Sequence, residues 1–190
     1  MANLSHFVAL DLPFAVREEL MLIASGVPGA YWVDEEQLHL TLRYLGEVDG
    51  RALRDFAAAL SRLEVDPFTL ELQGIGFFPP RGEPEKLWVG VSRSPQLEQL
   101  RARIDGLATR MGIAPDRRRY TPHVTLAHLD GAPDSRLARY AMGQALWKSG
   151  PFVPESFSLQ ASRRLPEGPT YQREQVILFK GPRPTAPRAE

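Results

Sequence analysis

The sequence contains no cysteine. Disulfides, thiolate metal centres and a cysteine nucleophile are therefore excluded, which fits a reducing compartment. Lysine is scarce, with 3 residues against 20 arginines. Arginine suits forked contacts to phosphate, but a skew spread over the whole chain reads first as genome composition. There is no excess charge, with 23 basic and 23 acidic residues. No global field draws the chain to nucleic acid or membrane, so any anion site must be local. No run of eighteen apolar residues occurs, so no membrane span is expected. The start, "MANLSHFVALDLP", lacks the basic segment and long apolar core of a signal peptide. A cytoplasmic chain without a membrane partner, and a monomer, are the expectations.

What is present reads as an α+β protein. "HFVALDLP" alternates and ends at Pro13, as a strand leading into a helix with Pro13 near its first position. "FAVREELMLIASG" reads as an amphipathic helix stopped at Gly26. "LHLTLRYLG" is a strand, "GRALRDFAAALSRL" a helix, and "PFTLELQGIGFF" a strand closed by the breakers "PPRGEPE". "KLWVGVSRSP" is a strand entering a helix capped by Ser94 with Pro95 at its start. "HVTLAHLD", a helix in "PDSRLARYAMGQALWKSG", and strands in "PFVPESFSLQAS" and "YQREQVILFK" complete the chain. Residues 181–190 are Pro-rich and expected to be disordered.

The halves repeat. Each runs strand, helix, His-x-Thr strand, helix, then a strand opening Pro-Phe. The two motif histidines are 84 residues apart (123 − 39). Such a duplication predicts one bilobal domain over 1–180, built from two intertwined lobes. Two antiparallel sheets related by a pseudo-twofold, flanked by helices, would enclose a central groove, where a ligand site is expected.

Residues i and i+2 of a strand share a face. His39 pairs in this way with Thr41, and His123 with Thr125. Two histidines titrating near neutrality can be the base and the acid of one turnover. Threonine hydroxyls can donate to phosphate oxygens without adding charge. Together these groups suit in-line displacement at phosphorus, with oxygen clamping supplying much of the rate. A single His-x-Thr on a strand is usually structural. Two copies at equivalent points of a repeat point instead to a shared site. No cofactor is implied. A metal centre is a poor fit, because two histidines without a nearby carboxylate leave the first shell of zinc short.

These residues resemble the 2H phosphoesterase superfamily, which is named for two His-x-Thr/Ser motifs. More narrowly, the chain is similar to the bacterial and archaeal RNA 2′,3′-cyclic phosphodiesterases, first described as 2′-5′ RNA ligases. The stretches that carry the likeness are "FVALDLP", "WVDEEQLHLTLRYLGEV", "FPP", "LWVGV", "YTPHVTLAHL" and "YQREQVILF", in order from Phe7 to Phe179. The resemblance implies a bilobal fold with both motifs in its central groove. It implies metal-free opening of a terminal 2′,3′-cyclic phosphate on RNA to a 2′-phosphate, and a reverse joining of RNA ends. By the family pattern His39 and His123 are acid and base, and Thr41 and Thr125 hold the phosphate. A 2′-phosphate product requires O3′ to leave, which assigns His39 as acid to O3′ and His123 as base for water. A non-catalytic module that binds phosphorylated nucleotides or RNA ends in the same groove is the alternative, and a metal-dependent hydrolase a third.

The chain departs from the family at one position. Relatives often carry arginine five residues after the second histidine, where this chain has His128. An odd offset sets His128 off the phase of His123 and Thr125 in a regular strand. Arg43, in phase with His39 and Thr41, is then the expected phosphate cation. Tyr120 is a candidate for stacking a base. Phe7 and Tyr171 are candidates for flanking the groove. "DRRR" at 116–119 and "SRR" at 162–164 are local basic patches that could follow an RNA backbone. His6 is assigned no role.

Overall fold

The computed structural model describes residues 4–79, 83–165, 168–182 and 184. Most of the expected tail, residues 183 and 185–190, lies outside the described residues. The chain folds as β1 (Leu4–Asp11), α1 (Phe14–Ile23), β2 (Ala30–Trp32), β3 (His39–Gly46), α2 (Gly50–Leu60), β4 (Leu72–Phe78), β5 (Lys86–Val91), α3 (Pro95–Arg110), β6 (His123–Leu129), α4 (Asp134–Gly143), β7 (Ser156–Leu165) and β8 (Gly168–Leu178). Local chemistry explains the helix starts. The Asp49 side chain accepts from the Arg51 and Ala52 N–H groups, and Ser94 Oγ accepts from Leu97 N–H, each satisfying free donors of a first turn. Leu97, Leu100, Ile104 and Leu107 are buried on α3, the three-and-four spacing of a core stripe.

The strands are antiparallel and run β4-β5-β6-β3-β1-β7-β8, with β2 also on β6. The order is symmetric about β6 and β3. β5 answers β1 in the repeat, and β4 answers β7. Each repeat gives its last strand to the other: β4 pairs β5, and β7 pairs β1. The two expected sheets are present as halves of one sheet, joined at β3 and β6. One face of the sheet packs with all four helices in a single core. Leu10, Leu40, Leu42, Val124 and Leu126 of the strands join Leu20, Phe56, Ile104 and Leu137 of the helices there. The opposite face carries the motif side chains.

Strand β2 is not among the elements expected from sequence. It runs along β6, with Ala30 opposite Leu129 and Trp32 opposite Ala127, and Val33 N–H continues the contact to the Leu126 carbonyl. A short 3-10 turn at Glu35–Gln37 follows. β3 then meets β6 at one pair, Leu40 with Val124. The motif strands therefore touch only at their histidine ends and diverge beyond, which opens the groove.

Both motif strands are bulged at equivalent points. On β3, Thr41 faces Ala9 and Arg43 faces Val8, so Leu42 is the extra residue. On β6, Thr125 faces Trp88 and Ala127 faces Leu87, so Leu126 is extra. A bulge shifts the alternation by one residue. The groove face therefore continues at Tyr44 and His128, while Arg43 and Ala127 are buried.

Candidate active site

The Leu40–Val124 pair sets the register. In an antiparallel ladder, the residues flanking that pair are His39 opposite Thr125 and Thr41 opposite His123. Each histidine thus faces the threonine of the other repeat. All four are partly exposed, while Leu40 and Val124 between them are fully buried. Among the described residues neither threonine hydroxyl has a hydrogen-bond partner, so both are free to donate to an anion.

The two rings are held alike. His39 Nδ1–H donates to the Gln37 carbonyl at 2.7 Å, and His123 Nδ1–H donates to the Thr121 carbonyl at 2.7 Å. A carbonyl only accepts, so Nδ1 carries the hydrogen and Nε2 is the titrating nitrogen in both. Each ring stands between two aromatic walls. His39 lies 5.0 Å from Phe7 and 4.9 Å from Tyr171, centroid to centroid. His123 lies 4.9 Å from Phe78 and 5.8 Å from Trp88.

These walls set the electrostatics. Burial lowers the pKa of His39 to about 4, against smaller upward pulls from the Gln37 hydrogen bond and Asp11. Burial also lowers His123, and the Lys86 charge adds to that effect. Both imidazoles are neutral at pH 7, and an anionic phosphate between them favours protonation. The fixed charges nearby have opposite sign: Asp11 favours a proton on His39, and Lys86 disfavours one on His123. His39 also senses the charge of His123, as a pair sharing one site must. Asp11 is itself held. It accepts from Ser156 Oγ at 2.8 Å and Ser158 Oγ at 2.9 Å, and pairs with Arg173 Nε at 3.2 Å.

Phe7 and Tyr171 stand against the His39 ring as its two walls. Arg43 does not contact the groove. The bulge turns it toward α3, where only 1% of its side chain is exposed. Its Nε donates to Asp105 Oδ1 at 2.6 Å, Nη2 to the Ala114 carbonyl at 2.6 Å, and Nη1 to the Tyr44 carbonyl. It is a structural clamp, buried away from the groove. Tyr120 is likewise engaged internally. Its hydroxyl donates to the Thr41 carbonyl at 3.1 Å, and the Arg101 guanidinium covers a ring face at 4.4 Å. It braces the first motif instead of offering that face to a base. The equivalent bulge on β6 corrects His128, which stands in phase with His123 and Thr125 across from Lys86.

Periodicity alone could not reveal Phe78, Trp88, Asp11 and Lys86, which reach the groove through strand pairing. Gly76 was a legible hint. A Cβ there would lie 2.1 Å from the Trp88 ring, so the glycine leaves room for the indole beside His123. Of the basic patches, Arg118 pairs with Asp116 at 2.8 Å and lies 5.3 Å over the Tyr44 ring. Arg163 is exposed on β7, and the side chain of Arg164 lies outside the described residues. His6 is buried against Glu174, Nε2 to Oε2 at 3.5 Å. A cavity of about 630 Å³ adjoins the groove behind Trp88 and Gly90, with Thr121, Trp147 and Lys148 on its walls. Among the described residues no group of three or more His, Cys, Asp or Glu is gathered as a metal site, and no helix is long and apolar enough to cross a membrane.

The groove thus carries one imidazole and one threonine from each of two equivalent strands. The chain belongs to the 2′-5′ RNA ligase superfamily, which matches residues 17–164. It is 34% identical over 187 residues to the RNA 2′,3′-cyclic phosphodiesterase of Thermus thermophilus, covering 92% of this chain and 90% of that one. It is 31% identical over 150 residues to the enzyme of the same name from Aeropyrum pernix, covering 78% and 85%. The crystal structure of E. coli LigT complexed with 3′-AMP superposes with a TM-score of 0.74 at 26% identity, over 93% of this chain and 98% of that one.

Proposed function

We propose that this protein hydrolyses a terminal 2′,3′-cyclic phosphate on RNA to a 2′-phosphate, using its own side chains as acid, base and oxygen donors. One observation carries the reading. Two imidazoles are anchored identically through Nδ1, leaving both Nε2 atoms free where the motif strands meet. A binding module has no need of two such groups. The relatives above bear the name of this activity.

The proton balance closes within the four side chains. His123 Nε2 takes a proton from water, and the oxygen attacks phosphorus opposite O3′. The P–O3′ bond breaks, and protonated His39 Nε2 gives its proton to O3′, leaving phosphate on O2′. Thr41 and Thr125 donate to the non-bridging oxygens from opposite walls. Asp11 favours the proton that His39 must hold as acid, and Lys86 opposes one on the base His123. With the 5′-hydroxyl of a second RNA in place of water, the same proton transfers join RNA ends through a 2′-5′ bond.

The test is a short RNA ending in a 2′,3′-cyclic phosphate, incubated with the full chain in excess EDTA. The expected product is a 2′-phosphate, identified by chromatography against both isomers. A 3′-phosphate would reverse the leaving group. Bound but intact RNA would make the groove a binding module, and activity only with added metal would replace the mechanism.

A further inference from the structure

A phosphate held in this groove needs a cation, and the arginine expected for it from sequence, Arg43, and the nearby Arg173 are both committed elsewhere. Arg43 is sealed behind the sheet. Arg173 is paired with Asp11 on the His39 side. His128 faces the groove, but burial and then the Lys86 charge lower its pKa, so it is neutral at pH 7.

Lys86 meets the geometric requirement. It begins β5, in phase with Trp88 and Gly90, while Leu87 and Val89 between them are fully buried. It pairs with His128, as Trp88 pairs with Thr125 and Gly90 with His123. Lys86 thus stands on the same face as the second motif. Two strand residues separate it from Trp88 and Thr125, about 6.6 Å of rise, which a four-carbon stem spans. The Trp88 ring lies over Gly76 on the other neighbouring strand. Lys86 is exposed, and among the described residues it has no ion-pair or hydrogen-bond partner.

Building on the cyclic phosphodiesterase reading, we propose that Lys86 is the phosphate-contacting cation of the His123 half of the groove. It takes the place of an arginine on β6 by reaching across from β5, opposite His128. Its ligand class is the phosphodiester or phosphomonoester anion at an RNA terminus.

The test compares wild type with Lys86→Met, Lys86→Arg, Lys148→Met and Lys86→Met/His128→Arg, using cyclic-phosphate RNA in EDTA and calorimetric binding of adenosine 2′-phosphate. Loss of one charged donor to the transition state predicts a fall of about 100-fold in kcat/KM for Lys86→Met. Loss of one charge-assisted contact predicts weaker product binding, by about tenfold. Lys86→Arg should stay within about tenfold of wild type, since the charge is kept. The double variant places a cation on the neighbouring strand of the same face and should recover at least about tenfold of the loss. A structural role for Lys86 predicts no such rescue. The proposal is overturned if Lys86→Met matches wild type in both assays, if the double variant gains nothing, or if Lys148→Met alone carries the loss. If wild type binds adenosine 2′-phosphate without turning over RNA, the activity reading fails while the binding ratio still decides the role of Lys86.

Discussion

Leu40 on β3 and Val124 on β6 are paired at the one point, among the described residues, where the two motif strands meet. That pair sets His39 opposite Thr125 and Thr41 opposite His123, so each half of the chemistry is divided between the repeats. It follows that neither repeat alone holds a working site.

Removal of either threonine hydroxyl should therefore slow turnover without unfolding the protein. Thr41→Val and Thr125→Val should each lower kcat about 100-fold, the usual effect of deleting one oxyanion donor. Steady-state kinetics with cyclic-phosphate RNA measures this, and KM should change far less than kcat. His39→Ala and His123→Ala should each lower kcat by about 1,000-fold or more, since general acid–base catalysis contributes on that scale.

Asp11 favours the proton on His39. Asp11→Asn removes that pull and lowers the affinity of His39 for the proton it must donate. In the substrate complex, where the phosphate favours a proton on His39, activity is lost as pH rises past the pKa of the acid, so the high-pH limb of kcat should move to lower pH in the variant. An unmoved high-pH limb, with a shifted low-pH limb, would exchange the roles of the two histidines.

Burial of His39 as a neutral ring predicts acid lability. Its folded pKa of about 4 lies below the ordinary histidine value of 6.5, so the unfolded chain binds the proton first. Stability is complete above about pH 6.5 and falls as pH drops toward 4, by up to about 3 kcal/mol. Thermal unfolding between pH 7 and 4 should show a smaller decline in Tm for His39→Gln than for wild type.

Arg43 is expected to matter for stability and not for phosphate. Arg43→Met leaves Asp105 and two carbonyls without their donor, and should destabilise the fold by about 3 kcal/mol. Denaturant unfolding reads this directly. At temperatures where the variant remains folded, the affinity for adenosine 2′-phosphate should equal that of wild type.

Gly76→Ala would place a Cβ 2.1 Å from the Trp88 ring. The indole must move, disturbing the wall of His123, at about 1–3 kcal/mol in stability. Trp88 fluorescence should change with the substitution, and kcat should fall with it.

The sequence by itself determined the composition of the site. Two His-x-Thr pairs at repeat spacing announced two imidazoles and two hydroxyls on strand faces, because side chains at i and i+2 share a face whatever surrounds them. It also determined the helix starts, where Asp49 and Ser94 cap locally, and the apolar faces that the core buries. Only the tertiary structure decided which neighbours those groups acquired. The bulges at Leu42 and Leu126 shift the alternation by one residue, carrying Arg43 into the core and His128 into the groove. A bulge arises from pairing between strands distant in sequence, so strict alternation misassigned both. The exchange of β4 and β7 between repeats likewise brought Phe78 and, through β8, Tyr171 against the histidines, while the pairing of β5 with β6 set Trp88 and Lys86 beside the second motif. Those contacts set the proton affinities of the two rings, because desolvation depends on the walls around a group and not on its place in the chain.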